Sequence, residues 1–155
     1  MDFGVRSISA PITPTGQSCN LRINFFDTSG RDTFKMIRQQ FYSNTQILLV
    51  VFDVNNKSTF DHIQLWFDEF NSTNRDANLT DSSMIVTLCG NQCNDDSNIK
   101  RQVSESEVQS FAKKMNWLYF ECSAKSGQNV DKMFEESVKC YLQNLNKTKI
   151  KCMSA

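Results

Sequence analysis

The feature that most restricts the fold is the stretch at residues 46–54, QILLVVFDV, which is apolar on both faces of a strand. A strand of that kind is buried on both sides, which is typical of a parallel sheet covered by helices. Predicted strands and helices alternate from residue 44 onward. We therefore predict an α/β protein in which the loops after the strands gather at one edge of the sheet.

The other elements follow from periodicity and capping residues. The predicted strands are residues 2–8, 21–26, 84–90 and 117–121, and the predicted helices are residues 31–43, residues 60–70, a helix after the capping box of Ser104 and Glu107, and residues 130 to about 146. The apolar positions at helical spacing in the first of these helices are Phe34, Ile37, Phe41 and Tyr42. The apolar stripe on the helix at 60–70 is interpreted as core rather than as a cofactor site.

Length and charge limit the class of protein. A chain of 155 residues fits one domain, which we place at residues 1–146, followed by a basic tail at 147–155. The 17 basic and 17 acidic side chains cancel, so we expect no nucleic-acid partner. We also expect a monomer. The six cysteines lack a zinc-binding spacing and are interpreted as reduced thiols of a cytoplasmic protein. The single histidine, His62, is expected at the surface.

Three loops after strands carry the polar residues of a candidate site. They are Asp27-Thr28-Ser29-Gly30, Gly90-Asn91-Gln92-Cys93-Asn94 and Glu121-Cys122-Ser123-Ala124-Lys125. An acid fixed at a strand end, three residues before a glycine, suits a magnesium-phosphate site, because the glycine lets a backbone N–H approach a phosphate. An Asp that only ends a strand before a turn shows the same spacing.

The order and spacing of these loops resemble the small GTPases of the Ras superfamily, and the Rab branch most closely. The opening at residues 2–5, with residues 25–27 and 40–46, is similar to the Rab-related RJL subfamily. The resemblance implies a P-loop NTPase-like, mostly parallel sheet with helices on both faces, and GTP or GDP with Mg²⁺ as ligands. It assigns Asp27 to the metal, through water, and nucleotide binding to Asp27, Gly30, Asn91, Gln92, Asn94, Ser123, Ala124 and Lys125.

The first departure from the family is the absence of its first strand, its G-x-x-x-x-G-K-[ST] loop and its first helix from these residues. The backbone that surrounds the phosphates, the phosphate-binding Lys and a magnesium-binding hydroxyl are absent with them. In this family the missing strand lies centrally, between the strands at 21–26 and 46–54. Three explanations are open: the native chain starts upstream of Met1, which we favour, or the hairpin shifts inward, or a partner fills the gap.

Two further departures affect chemistry. Arg31 stands where most of the family has a Gln that orients water, and Arg cannot accept a proton, so slow hydrolysis is expected and no catalytic residue is assigned. A surface Arg31 without a functional role fits the sequence equally well.

Asn94 replaces an Asp that would accept two N–H groups of guanine. We therefore expect a weaker preference for guanine and a better fit to xanthine. Gln92 replaces the Lys whose stem packs on the base.

The tail ends in Cys152-Met153-Ser154-Ala155, which fits a prenylation motif preceded by lysines. A prenylated Cys152 would give peripheral membrane attachment, whereas an incidental cysteine in a frayed tail is the favoured alternative.

The resemblance implies a nucleotide-linked switch in intracellular traffic or signalling, with weak or absent nucleotide binding and hydrolysis. The alternative is a non-catalytic interaction module. In both cases residues 31–42 are expected to bind effector or regulatory proteins.

Overall fold

The computed structural model describes residues 2–11, 18–73, 84–91 and 100–153, and the side chains of residues 2–9, 20–73, 84–91 and 100–146. The strands are β1 (Asp2–Pro11), β2 (Ser18–Asp27), β3 (Ile47–Asp53), β4 (Ile85–Asn91) and β5 (Leu118–Glu121). The helices are α1 (Lys35–Gln40), preceded by a 3₁₀ turn at Asp32–Phe34, then α2 (Lys57–Asp61), α3 (Ile63–Thr73), α4 (Glu105–Met115) and α5 (Val130–Met153). The predicted α/β class is confirmed.

Strands β3, β4 and β5 form a parallel sheet in the order β3-β4-β5. Alternate residues of β3 face opposite sides of this sheet. Val50 and Phe52 belong to the larger core cluster, which includes Ile63 of α3 and Val108 of α4. Leu49 packs on the second cluster, which includes Met133 of α5. Helices therefore cover both faces, as the apolar stretch at 46–54 predicts.

The helix boundaries follow the capping residues that the sequence shows. The side chain of Asn56 accepts a hydrogen bond from the backbone N–H of Ser58 at the start of α2. Ser104 Oγ accepts a hydrogen bond of 3.3 Å from the N–H of Glu107 at the start of α4. The single helix predicted at 60–70 is instead two helices, which meet at His62. His62 is exposed, as expected.

Two local expectations were wrong. Phe34 and Ile37, at apolar positions of the predicted amphipathic helix, are 38% and 44% exposed, whereas Arg38 is almost fully buried. The guanidinium can be buried because a carboxylate on α3 pairs with it. At the other end of the chain, α5 extends to Met153, beyond the end predicted at about residue 146.

The hairpin of β1 and β2 forms a sheet of its own. Its register places Asp2 opposite Asp27 and Pro11 opposite Ser18. The described strands contain no pairing between β2 and β3, so the hairpin does not shift inward to complete one sheet. It is held from the side instead: Phe25 packs edge-on against Phe134 of α5, with ring centroids 5.2 Å apart.

Candidate nucleotide site

Two of the three predicted loops are brought together at the carboxyl edge of the parallel sheet. Asn91 ends β4, and Ser123, Ala124 and Lys125 follow β5, its neighbour. The backbone N–H of Ala124 donates a hydrogen bond of 3.1 Å to Asn91 Oδ1. Adjacent parallel strands place their following loops side by side, which explains why residues 33 positions apart in sequence meet here.

The loop after β5 is built around the buried side chain of Ser123. Its hydroxyl accepts a hydrogen bond of 3.2 Å from the N–H of Ser126, and its carbonyl accepts one of 2.8 Å from the N–H of Gly127. Gly127 has a φ of +80°, a conformation that glycine adopts without strain. Lys125 is exposed at the tip of the loop. The loop is thus a tight turn whose polar groups are largely satisfied within the protein.

A cluster of three polar side chains holds the end of β5. Arg101 forms an ion pair with Glu121, with Nη1 3.0 Å from Oε2, and the hydroxyl of Tyr119 donates to the same carboxylate. The hydrogen bond from Arg101 keeps the pKa of Glu121 below its ordinary value of 4.5. Burial, together with the bond to Glu121, raises the pKa of Tyr119. The cluster fixes the strand end from which the loop of Ser123 starts.

The third loop, Asp27–Gly30, is held by a buried guanidinium that sequence reasoning missed. Arg38 Nη1 donates to the carbonyl oxygens of Ser29 and Arg31, at 3.3 and 2.8 Å. The other guanidinium nitrogens, Nε and Nη2, each lie 2.7 Å from a carboxylate oxygen of Glu69 on α3. The loop, α1 and α3 are therefore joined through one side chain.

Two aromatic residues complete this clamp, which consists of Arg38, Tyr42, Trp66 and Glu69. The guanidinium carbon of Arg38 lies 5.0 Å from the ring centroid of Trp66, within cation–π range. The hydroxyl of Tyr42 donates to Glu69 Oε1 over 3.0 Å. The only signal in the sequence is the i, i+4 spacing of Arg38 and Tyr42, which places both on one helix face.

Comparison with known proteins identifies the family. Residues 2–143 match the Ras family. The chain belongs to the Ras family. Its three-stranded parallel sheet with flanking helices is consistent with the P-loop GTPase fold of that family.

Curated relatives of this Ras-family chain include proteins of the Rab, Ypt and Sec4 type. The GTP-binding protein YPT53 of Saccharomyces cerevisiae is 32% identical over 149 residues, covering 92% of this chain and 64% of that protein. The Ras-related protein SEC4 of Candida albicans is 31% identical over 137 residues, covering 88% and 58%. The DnaJ homolog subfamily C member 27-A of Xenopus laevis is 30% identical over 135 residues, covering 87% and 46%. This chain thus spans about half to two thirds of the length of these relatives.

The Ras family binds GTP or GDP with Mg²⁺, and the residues of this chain fit that ligand in part. Asp27 is exposed, and no hydrogen bond or ion pair engages its carboxylate within the described part of the chain. Among those residues no group of three His, Cys, Asp or Glu side chains could hold a metal ion. Mg²⁺ usually takes one or two carboxylates together with phosphate oxygens and water. Asp27 therefore fits Mg²⁺ as a single ligand beside a bound phosphate.

The other site residues predicted from the sequence are either exposed or outside the described part of the chain. Gly30 and Arg31 are exposed, and a Cβ added to Gly30 would make ordinary contact with the ring of Trp66 at 3.7 Å. Gln92 and Asn94 lie outside the described residues, as does the side chain of Cys152. Of the cysteines whose side chains the structure describes, Cys89 and Cys122 are buried, Cys140 is half-buried, and none is in a disulfide. Across the described ranges, no helix combines the length and the apolar character needed to cross a membrane.

An exposed aromatic surface lies on the hairpin beside α1. The ring centroids of Phe3 and Phe26, and those of Phe26 and Phe41, are 5.1 Å apart. Phe3 and Phe26 are 55% and 49% exposed, and a groove of about 540 Å³ runs past all three rings. We call this the hairpin surface. Met36 and Ile37, within the predicted effector segment at 31–42, are exposed as well.

Proposed function

We propose that this chain is a Ras-family switch domain of intracellular traffic or signalling that binds guanine nucleotide weakly and hydrolyses it slowly or not at all. The observation that carries the proposal is the contact between Asn91 and Ala124, which assembles the side of the site that would face the base. The Rab, Ypt and Sec4 type of its relatives supports the traffic assignment. The RJL-like residues at 2–5 and 40–46 support placement in that subfamily.

The weakness of binding follows from the geometry at both ends of the site. The N–H of Ala124, which the family resemblance assigns to the base carbonyl, is already bonded to Asn91, so a bound base has to displace that contact. At the phosphate end, the described residues offer the Asp27–Gly30 loop and a single carboxylate. Preorganised donors and a lysine contribute much of phosphate affinity in this class of protein, and the sequence contains no glycine-rich loop to supply them.

Nucleotide binding is tested with fluorescent N-methylanthraniloyl GDP, GTP and XDP on the purified chain with Mg²⁺. We expect dissociation constants in the micromolar range or weaker, and a further loss of at least tenfold for Lys125→Ala. Lys132→Ala removes an exposed lysine of α5 and serves as the control. If the purified protein retained one GDP per chain, that result would contradict weak nucleotide binding. No binding at millimolar nucleotide would contradict the nucleotide-linked switch.

The structure also favours a second candidate, a non-catalytic interaction module that binds an effector or regulatory protein through residues 31–42 and the hairpin surface. The contacting rings of Phe3, Phe26 and Phe41 form an apolar patch rather than scattered surface residues, and Met36 and Ile37 of the segment are exposed. Proximity labelling in cells compares wild type with Ile37→Asp and with Leu65→Asp, a control at an exposed leucine of α3. Loss of the same labelled proteins in Ile37→Asp alone supports the surface, and equal labelling of all three contradicts it.

The location of the protein is a separate proposal. We propose a cytoplasmic protein whose Cys152 is not lipidated, so that membrane attachment requires a partner. The intact mass of the endogenous protein tests this directly. A farnesyl increment that disappears in Cys152→Ser would show peripheral attachment through the tail instead.

A further inference from the structure

The two loops that meet at Asn91 and Ala124 are also linked through the backbone at the ends of the parallel strands. On one side, the N–H of Val54, the residue after β3, donates a hydrogen bond of 3.1 Å to the carbonyl oxygen of Asn91. On the other side, the N–H of Cys122 donates one of 2.8 Å to the carbonyl oxygen of Gly90. The end of β4 is therefore held from both of its neighbouring strands.

The segment before α4 joins this arrangement at Val54. The N–H groups of Gln102 and Val103 each donate a hydrogen bond of 3.0 Å to the carbonyl oxygen of Val54. Val54 and Val103 are both fully buried, so this junction lies in the core. The segment at 102–103 is therefore connected to Asn91 through a single buried residue.

Arg101 connects the same segment to the end of β5. Its Nε donates to the carbonyl oxygen of Val103, and its two Nη atoms bond the two carboxylate oxygens of Glu121. All three nitrogens of the guanidinium thus bond within the protein. Because Glu121 ends β5 and directly precedes Cys122, these links close into a ring across the ends of three strands. We call it the strand-end ring, with the members Val54, Gly90, Asn91, Arg101, Val103 and Glu121.

The ion pair of Arg101 differs in its geometry from an ordinary surface ion pair. Exposed pairs of single charges contribute little, because two flexible side chains must be held in one arrangement. Here the planar fork of a guanidinium bonds two groups at once, which fixes how they are oriented. The carboxylate of Glu121 also accepts from the hydroxyl of Tyr119, and its carbonyl oxygen accepts a hydrogen bond of 2.8 Å from Asn129 Nδ2. Arg101 therefore orients a strand end whose other contacts are already in place.

We propose that Arg101 is a positioning residue of the nucleotide site, which holds the loop of Ala124 and Lys125 against Asn91 and thereby slows the release of a bound nucleotide. It acts through Glu121 and Val103. A loop that is already held in place loses less conformational freedom when a ligand binds, which strengthens binding. The inference rests on the proposed nucleotide function, because it concerns the side of the site that would face the base.

Hydrogen exchange of the nucleotide-free chain, followed by NMR, tests the positioning directly. The N–H of Ala124 is bonded to Asn91 Oδ1, so its exchange rate reports whether the two loops stay together. Arg101→Gln should raise that rate at least fivefold relative to the rate of the Leu88 N–H. Leu88 lies in β4 with 0% exposure and reports opening of the sheet as a whole. An unchanged ratio of the two rates overturns the proposal.

Lys57→Gln is the matched control for this experiment. Lys57 pairs with Glu107 of α4, and its side chain is 38% exposed, against 37% for Arg101. The substitution removes that ion pair and keeps the backbone N–H that donates to Gln102 Oε1. It should leave the ratio of exchange rates unchanged. An equal rise in both variants overturns the proposal, because the loss of any surface ion pair would then have the same effect.

Release of N-methylanthraniloyl GDP in the presence of Mg²⁺ tests the consequence for the ligand. Arg101→Gln should raise the dissociation rate at least fivefold and change the association rate less than twofold, because the substitution loosens the bound state. Lys57→Gln should change neither rate. If the wild-type chain binds and Arg101→Gln releases nucleotide at the wild-type rate, the inference alone is overturned. If the wild-type chain does not bind at millimolar nucleotide, the proposed function is contradicted, and the inference with it.

Arg101→Lys separates positioning from charge. Lysine keeps the positive charge but lacks the planar fork that bonds Val103 and Glu121 together. Positioning predicts that this variant releases nucleotide at a rate within twofold of that of Arg101→Gln. Release at the wild-type rate would mean that the charge alone retains the nucleotide, and would overturn the proposal.

Discussion

Arg38 and Glu69 form a bidentate ion pair across the α1–α3 interface, with two N–O distances of 2.7 Å and only 2% of the Arg38 side chain exposed. The same guanidinium donates to the backbone of the Asp27–Gly30 loop, so the loop and both helices depend on one buried charge. Removal of one member of such a pair leaves the other charged, buried and without its main partner.

Arg38→Ala should lower the free energy of unfolding by about 3 kcal/mol, because Glu69 would lose its bidentate partner and keep only the hydroxyl of Tyr42 and the more distant Lys35, whose Nζ lies 4.0 Å away. Urea unfolding measures the change. Lys139→Ala, which removes an exposed ion pair with Glu136, should cost at most about 1 kcal/mol and serves as the control. A loss below about 1 kcal/mol for Arg38→Ala would contradict the clamp as a structural element.

The ion pair also predicts acid sensitivity. The hydrogen bond from Arg38 lowers the pKa of Glu69 in the folded protein below its ordinary value of 4.5. A lowered folded pKa contributes stability above the unfolded pKa, and that stability is lost as the pH falls through the folded pKa. The difference in unfolding free energy between wild type and Glu69→Gln should therefore shrink from about pH 7 to about pH 3. A difference that stays constant over this range would contradict the assignment, since the other carboxylates are common to both proteins.

Tyr42 should make the clamp sensitive to alkali as well. Burial and the hydrogen bond to Glu69 raise its pKa to about 12. A raised folded pKa contributes stability below the ordinary value of 10.0, and this contribution is lost as the pH rises through about 12. Tyrosinate absorbance during alkaline titration should therefore show a component near pH 12 that is lost in Tyr42→Phe, whereas Tyr119, whose pKa is raised as well, still titrates late in that variant. Near neutral pH that variant should lose about 1 kcal/mol of stability. A titration of Tyr42 near its ordinary pKa would contradict this prediction.

Two glycines beside the candidate site should differ sharply in their tolerance of alanine. A Cβ at Gly90 would lie 3.0 Å from Val54 Cγ1 and 3.1 Å from Phe52 Cζ, both in the core, so Gly90→Ala should cost about 1–3 kcal/mol. A Cβ at Gly30 has ordinary contacts, and Gly30→Ala should change stability by less than about 0.5 kcal/mol. Thermal unfolding compares the two variants, and equal losses would contradict the packing around Gly90.

Gly30→Ala should retain the fold. A loss of nucleotide affinity in this variant would therefore come from an altered contact with the nucleotide and not from unfolding of the protein. A bound phosphate that approaches the Gly30 backbone would meet the added methyl group. A loss of GDP affinity without loss of stability would therefore support the role that the family resemblance assigns to Gly30.

The candidate site was predictable where its residues follow strands directly. Asn91 and the loop of Ser123 come after apolar strands whose ends are visible in the sequence, and neighbouring parallel strands bring such loops together. The role of Ala124 was not predictable, because its N–H bonds within the protein to a side chain on another strand. Arg38 was missed for a similar reason: its burial depends on Glu69, which lies 31 residues away on another helix.

The sequence alone determined the order and type of the elements, from the strand at β3 to the caps at Asn56 and Ser104, because side-chain periodicity and capping act over a few residues. It also determined the family, through loops that directly follow strands. The tertiary structure decided which residues of α1 are buried, how the Asp27–Gly30 loop is anchored, and that β2 and β3 do not pair with each other. These features depend on contacts between residues distant in the chain, which no local pattern records.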